Sequence, residues 1–163
     1  MTNTMRRHRQ ALTPEACAAV LAQESHGVLA LAADDFPYAV PLSYVYSDGV
    51  LYFHCAKAGH KLDLLRRDGR ASFCVVAEDN VVPDAYTTYY RSVLCFGTLT
   101  EVGDDTEKRA AIVALGRKYA PHEPDTHLDE EIRRHWDALC ILKLTPDHIT
   151  GKEALELVQA RAD

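Results

Sequence analysis

Residues 38–56, YAVPLSYVYSDGVLYFHCA, decide the fold. Large side chains alternate with small ones along residues 38–46, and this period of two is typical of a strand that buries one face. The next three residues, Ser47, Asp48 and Gly49, have the composition of a tight turn. Residues 50–56 are again rich in β-forming side chains. The stretch therefore predicts an antiparallel hairpin.

The rest of the chain adds strands and amphipathic helices around this hairpin. Thr13 and Pro14 have the composition of a helix start, and Gly97 inside a long apolar run indicates a bulge or a close approach of two strands. The predicted elements are a helix over residues 13–25, strands within residues 27–103 and 138–149, and helices over residues 58–68 and 104–120. A short charged helix ending near Trp136 precedes the last strand.

The arrangement of these elements favours a mainly β fold. Short strands joined mostly by hairpins, with few strand–helix–strand units, indicate an antiparallel barrel with peripheral helices rather than a doubly wound parallel sheet. With 163 residues and no long linker or repeat, we predict a single domain over residues 1–163. Because side chains fill a small barrel, a ligand is expected on its outer wall, completed by a second protomer.

Charge and composition exclude several classes of partner. The chain has 18 Lys and Arg residues against 24 Asp and Glu residues, and its net charge of −6 disfavours nucleic acid. The apolar run at residues 28–33 is too short to cross a bilayer, and no signal-peptide pattern begins the chain. We therefore expect a cytoplasmic protein with no membrane partner. The cysteines, which are expected to be mostly core residues, show no metal-binding spacing and are Cys17, Cys55, Cys74, Cys95 and Cys140.

Familiar catalytic motifs are missing from the sequence. There is no G-x-G-x-x-G for a dinucleotide crossover, no complete phosphate loop around Gly151, no H-E-x-x-H and no nucleophile elbow. These absences disfavour common nucleotide-binding folds and hydrolases.

One basic segment stands out in this acidic chain. Residues 57–70 contain five basic side chains against two acidic ones. Gly59 and Lys61 lie where a strand ends and a helix begins, so exposed backbone N–H groups and a cation would suit a phosphate monoester. The alternative is a solvated helix face. The basic residues are Lys57, Lys61, Arg66, Arg67 and Arg70.

Pro41 is the second anomaly. A proline within a strand marks a sheet edge, where backbone groups near Val40 and Leu42 are free to meet a planar ligand. A flat ring would then lie near Pro41 and Ser43, with its phosphate at Lys61. The alternative is that the proline only closes a barrel edge.

Eight segments of the chain form one pattern, and they are residues 5–7 (MRR), 27–30 (GVLA), 37–46 (PYAVPLSYVY), 53–56 (FHCA), 59–61 (GHK), 72–76 (SFCVV), 88–93 (TYYRSV) and 150–154 (TGKEA). In this chain order they resemble the nitroimidazole-resistance (Nim) family, which belongs to the pyridoxamine 5′-phosphate oxidase-like, flavin-binding split barrels. The resemblance covers nearly the whole chain.

The resemblance implies an antiparallel Greek-key split β-barrel homodimer that binds FMN at the subunit interface. It also implies a flavin-dependent reductase of nitroimidazole-like or other small planar acceptors, with NAD(P)H or another electron donor. The cofactor-binding residues would be Val40, Pro41, Leu42 and Ser43 at the ring, His54 and Cys55 in the site wall, His60 and Lys61 at the phosphate, and Arg91 and Ser92 from the partner protomer.

His54 is the candidate catalytic residue. Imidazole has an ordinary pKa near 6.5, so His54 would donate a proton to a reduced nitro group or bind a carboxylate or nitro oxygen. The alternative is a hydrogen-bonded barrel residue. Cys55 is expected to pack beside the phosphate site.

Two other functions remain open from the sequence. One is a non-catalytic flavin or haem carrier or sensor, since split-barrel relatives include haem-binding members. The other is a pyridoxamine-phosphate-type oxidase, for which no second phosphate-binding cluster is evident. Irregularly spaced His122, His127 and His135 are expected in solvated segments rather than at a metal.

Overall fold

The computed structural model describes residues 7–160, so predictions that involve residues 1–6 and 161–163 lie outside the described residues. The α-helices are α1 (Pro14–Gln23), α2 (His60–Arg67), α3 (Asp105–Tyr119), α4 (Asp125–His135) and α5 (Leu155–Ala160). The strands are β1 (His26–Leu31), β2 (Tyr38–Ser43), β3 (Val45–Ser47), β4 (Val50–Ala56), β5 (Arg70–Val82), β6 (Thr87–Glu101) and β7 (Leu139–Glu153).

The strands form one antiparallel sheet in the order β2-β1-β5-β6-β7-β4-β3. Its two edge strands, β2 and β3, are separated in the chain by Tyr44 alone. The sheet must therefore curl until its edges meet at this residue, which gives a Greek-key barrel rather than an open sheet. The predicted mainly β barrel is confirmed.

A tyrosine hydroxyl fixes the point where the barrel closes. Tyr119, the last residue of α3, accepts a hydrogen bond from the backbone N–H of Tyr44 at 2.8 Å. The same hydroxyl lies within hydrogen-bond reach of the carbonyl oxygens of Tyr44, at 2.9 Å, and of Ser25. Because Tyr44 sits between two strands, these side-chain bonds replace the ladder bonds that its backbone lacks.

The barrel interior is filled by aliphatic and aromatic side chains from alternate strand positions. The rings of Tyr44, Phe53 and Phe73 meet at its centre, with centroids 4.9 and 5.0 Å from Phe73. Buried residues of α1 and of α2 belong to the same apolar cluster. Burial of this apolar surface is the main force that holds the fold together.

The helices start where the sequence predicts. The Thr13 side chain accepts the N–H of Ala16 at 3.2 Å, with Pro14 in the first turn, and Asp104 accepts the N–H of Glu107 at 2.8 Å. Helix α3 then packs its Ala111 and Leu115 on a second apolar cluster outside β3 and β7.

The structure corrects three details of the predicted strands. The strand expected over residues 38–46 is broken at Tyr44, and its first part pairs with β1 instead of β4. Strands β5 and β6 continue as a paired arm over residues 78–91, whereas the sequence pattern indicates strands only over residues 70–76 and 92–102. The last strand continues to Glu153 because β6 is long enough to pair with it throughout.

The predicted irregularity at Gly97 is confirmed. The β6–β7 register shifts between Phe96 and Gly97, and a Cβ atom at Gly97 would lie 2.1 Å from the Thr145 carbonyl oxygen. Only glycine permits this approach.

Candidate functional site

Strand β2 presents two different faces, so the predicted ring-binding residues do not all point the same way. The Val40 and Leu42 side chains pack against the core, whereas Pro41 and Ser43 are exposed on the outer wall. Because β2 is an edge strand paired only with β1, one side of its backbone has no neighbouring strand. Pro41 therefore lies at a sheet edge, as its missing N–H predicts.

The outer wall beside β2 is a mostly uncharged surface that no α-helix of residues 7–160 covers, and Lys152 is the charged member of the row Val76-Ser92-Lys152. Val28 is 40% and Val76 is 55% exposed there. We call this surface the outer face. Its other outward side chains form two cross-strand rows, Pro41-Val28-Cys74-Leu94-Thr150 and Ala39-Ala30-Ser72-Phe96-His148. Depletion of charge and exposure of apolar side chains are typical of an interface core.

The N terminus of α2 lies beside this surface and has the features of a phosphate site. Gly59 precedes the helix with a φ of 132°, which favours glycine, and a Cβ atom there would have no neighbour within 4 Å. Its carbonyl accepts the N–H groups of Leu62 and Asp63 at 2.9 and 3.2 Å. No side chain of the described chain caps this end, so the N–H groups of His60 and Lys61 are available to an anion.

The structure neutralises most of the predicted basic segment. Arg66 binds Glu101 at 2.8 Å, Arg67 binds Asp34 at 2.5 Å and Arg70 binds Asp68 at 2.6 Å. Two lysines of the segment, Lys57 and Lys61, have no ion pair among residues 7–160. The cations available for a phosphate are therefore Lys57 and Lys61, while Arg66 and Arg67 connect α2 to Glu101 and Asp34.

Lys61 and Cys55 lie close enough for their charges to interact. Burial raises the pKa of the Cys55 thiol, and the nearby ammonium group of Lys61 opposes that shift. Cys55 is half-buried, packs against the core and lies directly opposite Cys140 in the β4–β7 ladder. Burial also raises the pKa of Cys140, to about 12. Both thiols are therefore protonated at neutral pH, in agreement with a packing role.

His54 and Cys55 point in opposite directions although they are adjacent. His54 is exposed on the outside of β4, and its register partner in β7 is the buried Ile141. Within the described chain, no hydrogen bond or ion pair fixes the imidazole. It is therefore free to bind or protonate a ligand.

Arg91 and Ser92 also occupy opposite faces of their strand. The Arg91 guanidinium binds Glu153 at 3.1 Å and Glu78 at 3.6 Å, and the Glu153 side chain is 0% exposed. Ser92 is on the outer side, but two strands separate β6 from β2, so Ser92 is roughly 14 Å from Ser43 in the same chain. One protomer therefore does not bring these two predicted site regions together.

Sequence reasoning missed the aromatic loop beside the α2 N terminus. Phe36 is 83% exposed on the β1–β2 loop, and the Tyr38 ring contacts His60 edge to face at 5.1 Å. The turn composition of residues 34–37 predicted a loop, but an exposed phenylalanine in it was the available sign of a ligand contact.

Two histidines of the α4 region contact separate carboxylates and do not converge on one metal site. His127 contacts Glu123 at 2.8 Å, which raises the pKa of the imidazole, and His135 lies 3.5 Å from Glu131. Residues 7–160 contain no group of three or more potential metal-binding side chains. None of the helices in this part of the chain is long and apolar enough to cross a membrane.

A flavin mononucleotide unit fits these residues. The outer face offers exposed, mostly uncharged side chains to a ring system, and the uncapped helix start with Lys61 suits a phosphate dianion. An antiparallel barrel whose two edge strands meet at Tyr44 is typical of the split-barrel class.

Comparison with known proteins agrees with that class. The family model described as pyridoxamine 5′-phosphate oxidase matches residues 13–153, so the chain belongs to this family. The predicted family relationship is confirmed. A search of curated proteins found no match.

Solved structures of similar fold include three informative relatives. A candidate 5-nitroimidazole antibiotic resistance protein from Bacteroides thetaiotaomicron is 21% identical, covers 88% of this chain and 86% of its own, and has a TM-score of 0.73. An FAD-binding protein from Mesorhizobium loti is 25% identical, with coverages of 89% and 97% and a TM-score of 0.62. The FAD and heme binding protein from Mycobacterium smegmatis is 22% identical, with coverages of 95% and 80% and a TM-score of 0.75.

Proposed function

We propose that this protein is a flavin-dependent reductase whose cofactor lies on the outer face. The observation that carries the proposal is the juxtaposition of a mostly uncharged, uncovered sheet surface with an uncapped helix start bearing Lys61. The FMN unit, which FMN and FAD share, would place its ring near Pro41 and Ser43. Its phosphate would lie at the N–H groups of His60 and Lys61.

The site is proposed to be completed by a second copy of this chain. Burial of Val28 and Val76 against an identical surface removes exposed apolar area from water. Ser92 of a partner would then approach the ring that Pro41 and Ser43 of this chain contact. Arg91 would act indirectly, by holding β6 through Glu153.

A bound flavin would supply electron or hydride transfer between a donor such as NAD(P)H and a small planar acceptor. The chain's own residues would position that acceptor. His54, exposed and unrestrained, would bind an acceptor oxygen or donate a proton to it. Nitroimidazole-like compounds are the proposed acceptors because the family relationship and the mostly uncharged surface both suit them.

Two lysine variants test the cofactor site. Flavin binding is measured by fluorescence quenching on the purified full chain, for wild type, Lys61→Ala and the matched control Lys57→Ala. Loss of a charge-assisted contact worth about 1.5–3 kcal/mol predicts at least about tenfold weaker binding for Lys61→Ala. Lys57→Ala should bind like wild type. Equal affinities for all three proteins would contradict the site.

Turnover is a separate measurement. The flavin-loaded protein is mixed anaerobically with NAD(P)H or a chemical donor and a nitroimidazole. Consumption above that of free flavin supports a reductase, whereas flavin binding with no excess turnover supports a carrier.

A flavin or haem carrier is the second candidate, because the Mycobacterium smegmatis relative is described as binding both groups. A Soret band in the purified protein, without flavin bands, would favour haem. A pyridoxamine-phosphate-type oxidase ranks lower because the three arginines near Lys61 are already paired within the chain.

A further inference from the structure

A cavity of about 530 Å³ lies next to the proposed phosphate position, between the β1–β2 loop and α2. This volume is within the roughly 300–1,000 Å³ that small-molecule sites occupy. Its chemically informative lining residues are Asp35, Phe36, Tyr38, Ala39, His60 and Arg67.

Three rings, those of Phe36, Tyr38 and His60, line the cavity. Tyr38 and His60 are in edge-to-face contact at 5.1 Å, and Phe36 stands at the rim with 83% of its surface exposed. Covering an apolar ring that is exposed to water with a second ring lowers the free energy. Stacking on an aromatic side chain stabilises a bound nucleobase, so a purine is a suitable partner.

The charged groups of the cavity suit the nucleoside part of a ligand, so the phosphate that joins this nucleoside to the FMN unit would have to lie outside the cavity, at the start of α2. The carboxylate of Asp34 is bound to Arg67 at 2.5 Å, so this guanidinium is already neutralised. Asp35 has no ion pair among residues 7–160, and its carboxylate is free to accept hydrogen bonds. A carboxylate next to an aromatic wall is well suited to a ribose diol and unsuited to an anion.

The cavity is continuous with the proposed flavin surface. Ala39 lines the cavity and also belongs to the outer face, two residues before Pro41. His60 lines the cavity and begins α2, where the phosphate is proposed to bind. A ligand that extends beyond that phosphate would therefore enter this cavity.

We propose that the cavity binds the adenosine half of FAD, so that the protein prefers FAD to FMN. This inference rests on the proposed function, because it extends the same flavin site. It revises the sequence prediction of FMN, since the FMN unit would be bound as part of a larger cofactor.

The test compares FAD and FMN by calorimetry on wild type, Phe36→Ala, Phe36→Trp and Asp35→Asn. We expect wild type to bind FAD at least about tenfold more tightly than FMN. Phe36→Ala and Asp35→Asn should remove most of that preference while FMN affinity stays unchanged, and Phe36→Trp should retain it. Since Phe36 and Asp35 are exposed, these variants are expected to fold normally.

The outcomes separate this inference from the proposed function. If neither flavin binds, the proposed function fails; if both bind equally, or Phe36→Ala weakens both equally, only the adenosine site is wrong. Nicotinamide dinucleotides also carry adenosine. A raised KM for NADH or NADPH in Phe36→Ala, with unchanged FAD affinity, would assign the cavity to the electron donor and overturn the FAD assignment.

Discussion

At the scale of single residues, Tyr119 is the side chain on which barrel closure depends. Its hydroxyl contacts the backbone N–H and carbonyl of Tyr44, which lies between the two edge strands. Tyr119→Phe would leave these part-buried backbone groups without their partner, at a cost of about 1–3 kcal/mol. Urea unfolding should show this loss. The control Tyr86→Phe, at a 97% exposed position, should match wild type.

The pKa of the Cys55 thiol tests the position of Lys61 in the cofactor-free protein. Burial raises the pKa of this thiol and the ammonium group of Lys61 lowers it, so Lys61→Ala should raise the pKa further. Because the thiolate is the reactive form, alkylation of Cys55 should speed up as the pH rises. At a given pH near 9, it should be slower in Lys61→Ala than in Lys57→Ala.

The rate is followed at the Cys55 peptide by mass spectrometry, which separates it from the peptides of the other cysteines. Identical pH profiles for the two lysine variants would show that Lys61 does not lie beside Cys55. That result would also weaken the proposed phosphate position.

At the scale of elements, the β6–β7 ladder depends on one glycine. A Cβ atom at Gly97 would lie 2.1 Å from the Thr145 carbonyl oxygen, so Gly97→Ala forces two strands apart. Overpacking of this kind costs about 1–3 kcal/mol or more. The control Gly103→Ala has open space around the new methyl group. Thermal unfolding should show a lower Tm for Gly97→Ala only, and equal Tm values would contradict the close approach.

The sequence predicted which segments are strands better than it predicted their partners. The alternation of residues 38–46 correctly gives an extended chain, but period two does not show that Tyr44 divides it between two sheet edges. That division depends on barrel closure and on a hydroxyl 75 residues away in sequence. Non-local contacts of this kind leave no local pattern.

The arm formed by the ends of β5 and β6 was missed for a similar reason. Its turn contains Pro83 and a left-handed Tyr86. Its strands mix charged, amide and aromatic residues, so neither the helical nor the strand period of apolar side chains is clear. Pairing between the two long strands imposes the extended conformation there.

At the scale of the whole molecule, the outer face should be the dimer interface. Val76 is 55% exposed in one chain, so Val76→Lys should leave the monomer folded while placing a charge in the contact. Light scattering should show a dimer for wild type and a monomer for the variant, with weaker flavin binding. The control Ala110→Lys lies on exposed α3 and should remain dimeric. A dimeric Val76→Lys protein would contradict this interface.

Part of the candidate site could be read from the sequence, and part could not. Pro41 and Gly59 carry local backbone signals, so an edge strand and an anion-ready helix start were predictable. The pairing of Arg66, Arg67 and Arg70 was not, because their partners include Glu101 and Asp34 in other elements. Strand alternation places Pro41 and Ser92 on the outside, yet the sequence alone does not show that no helix covers them.

The most direct test of the central claim is a crystal structure of the protein grown with FAD. The account predicts the ring against Pro41 and Ser43 at an interface between two copies, with a phosphate at the N–H groups of His60 and Lys61. A flavin bound elsewhere, with the start of α2 facing only solvent, would contradict it.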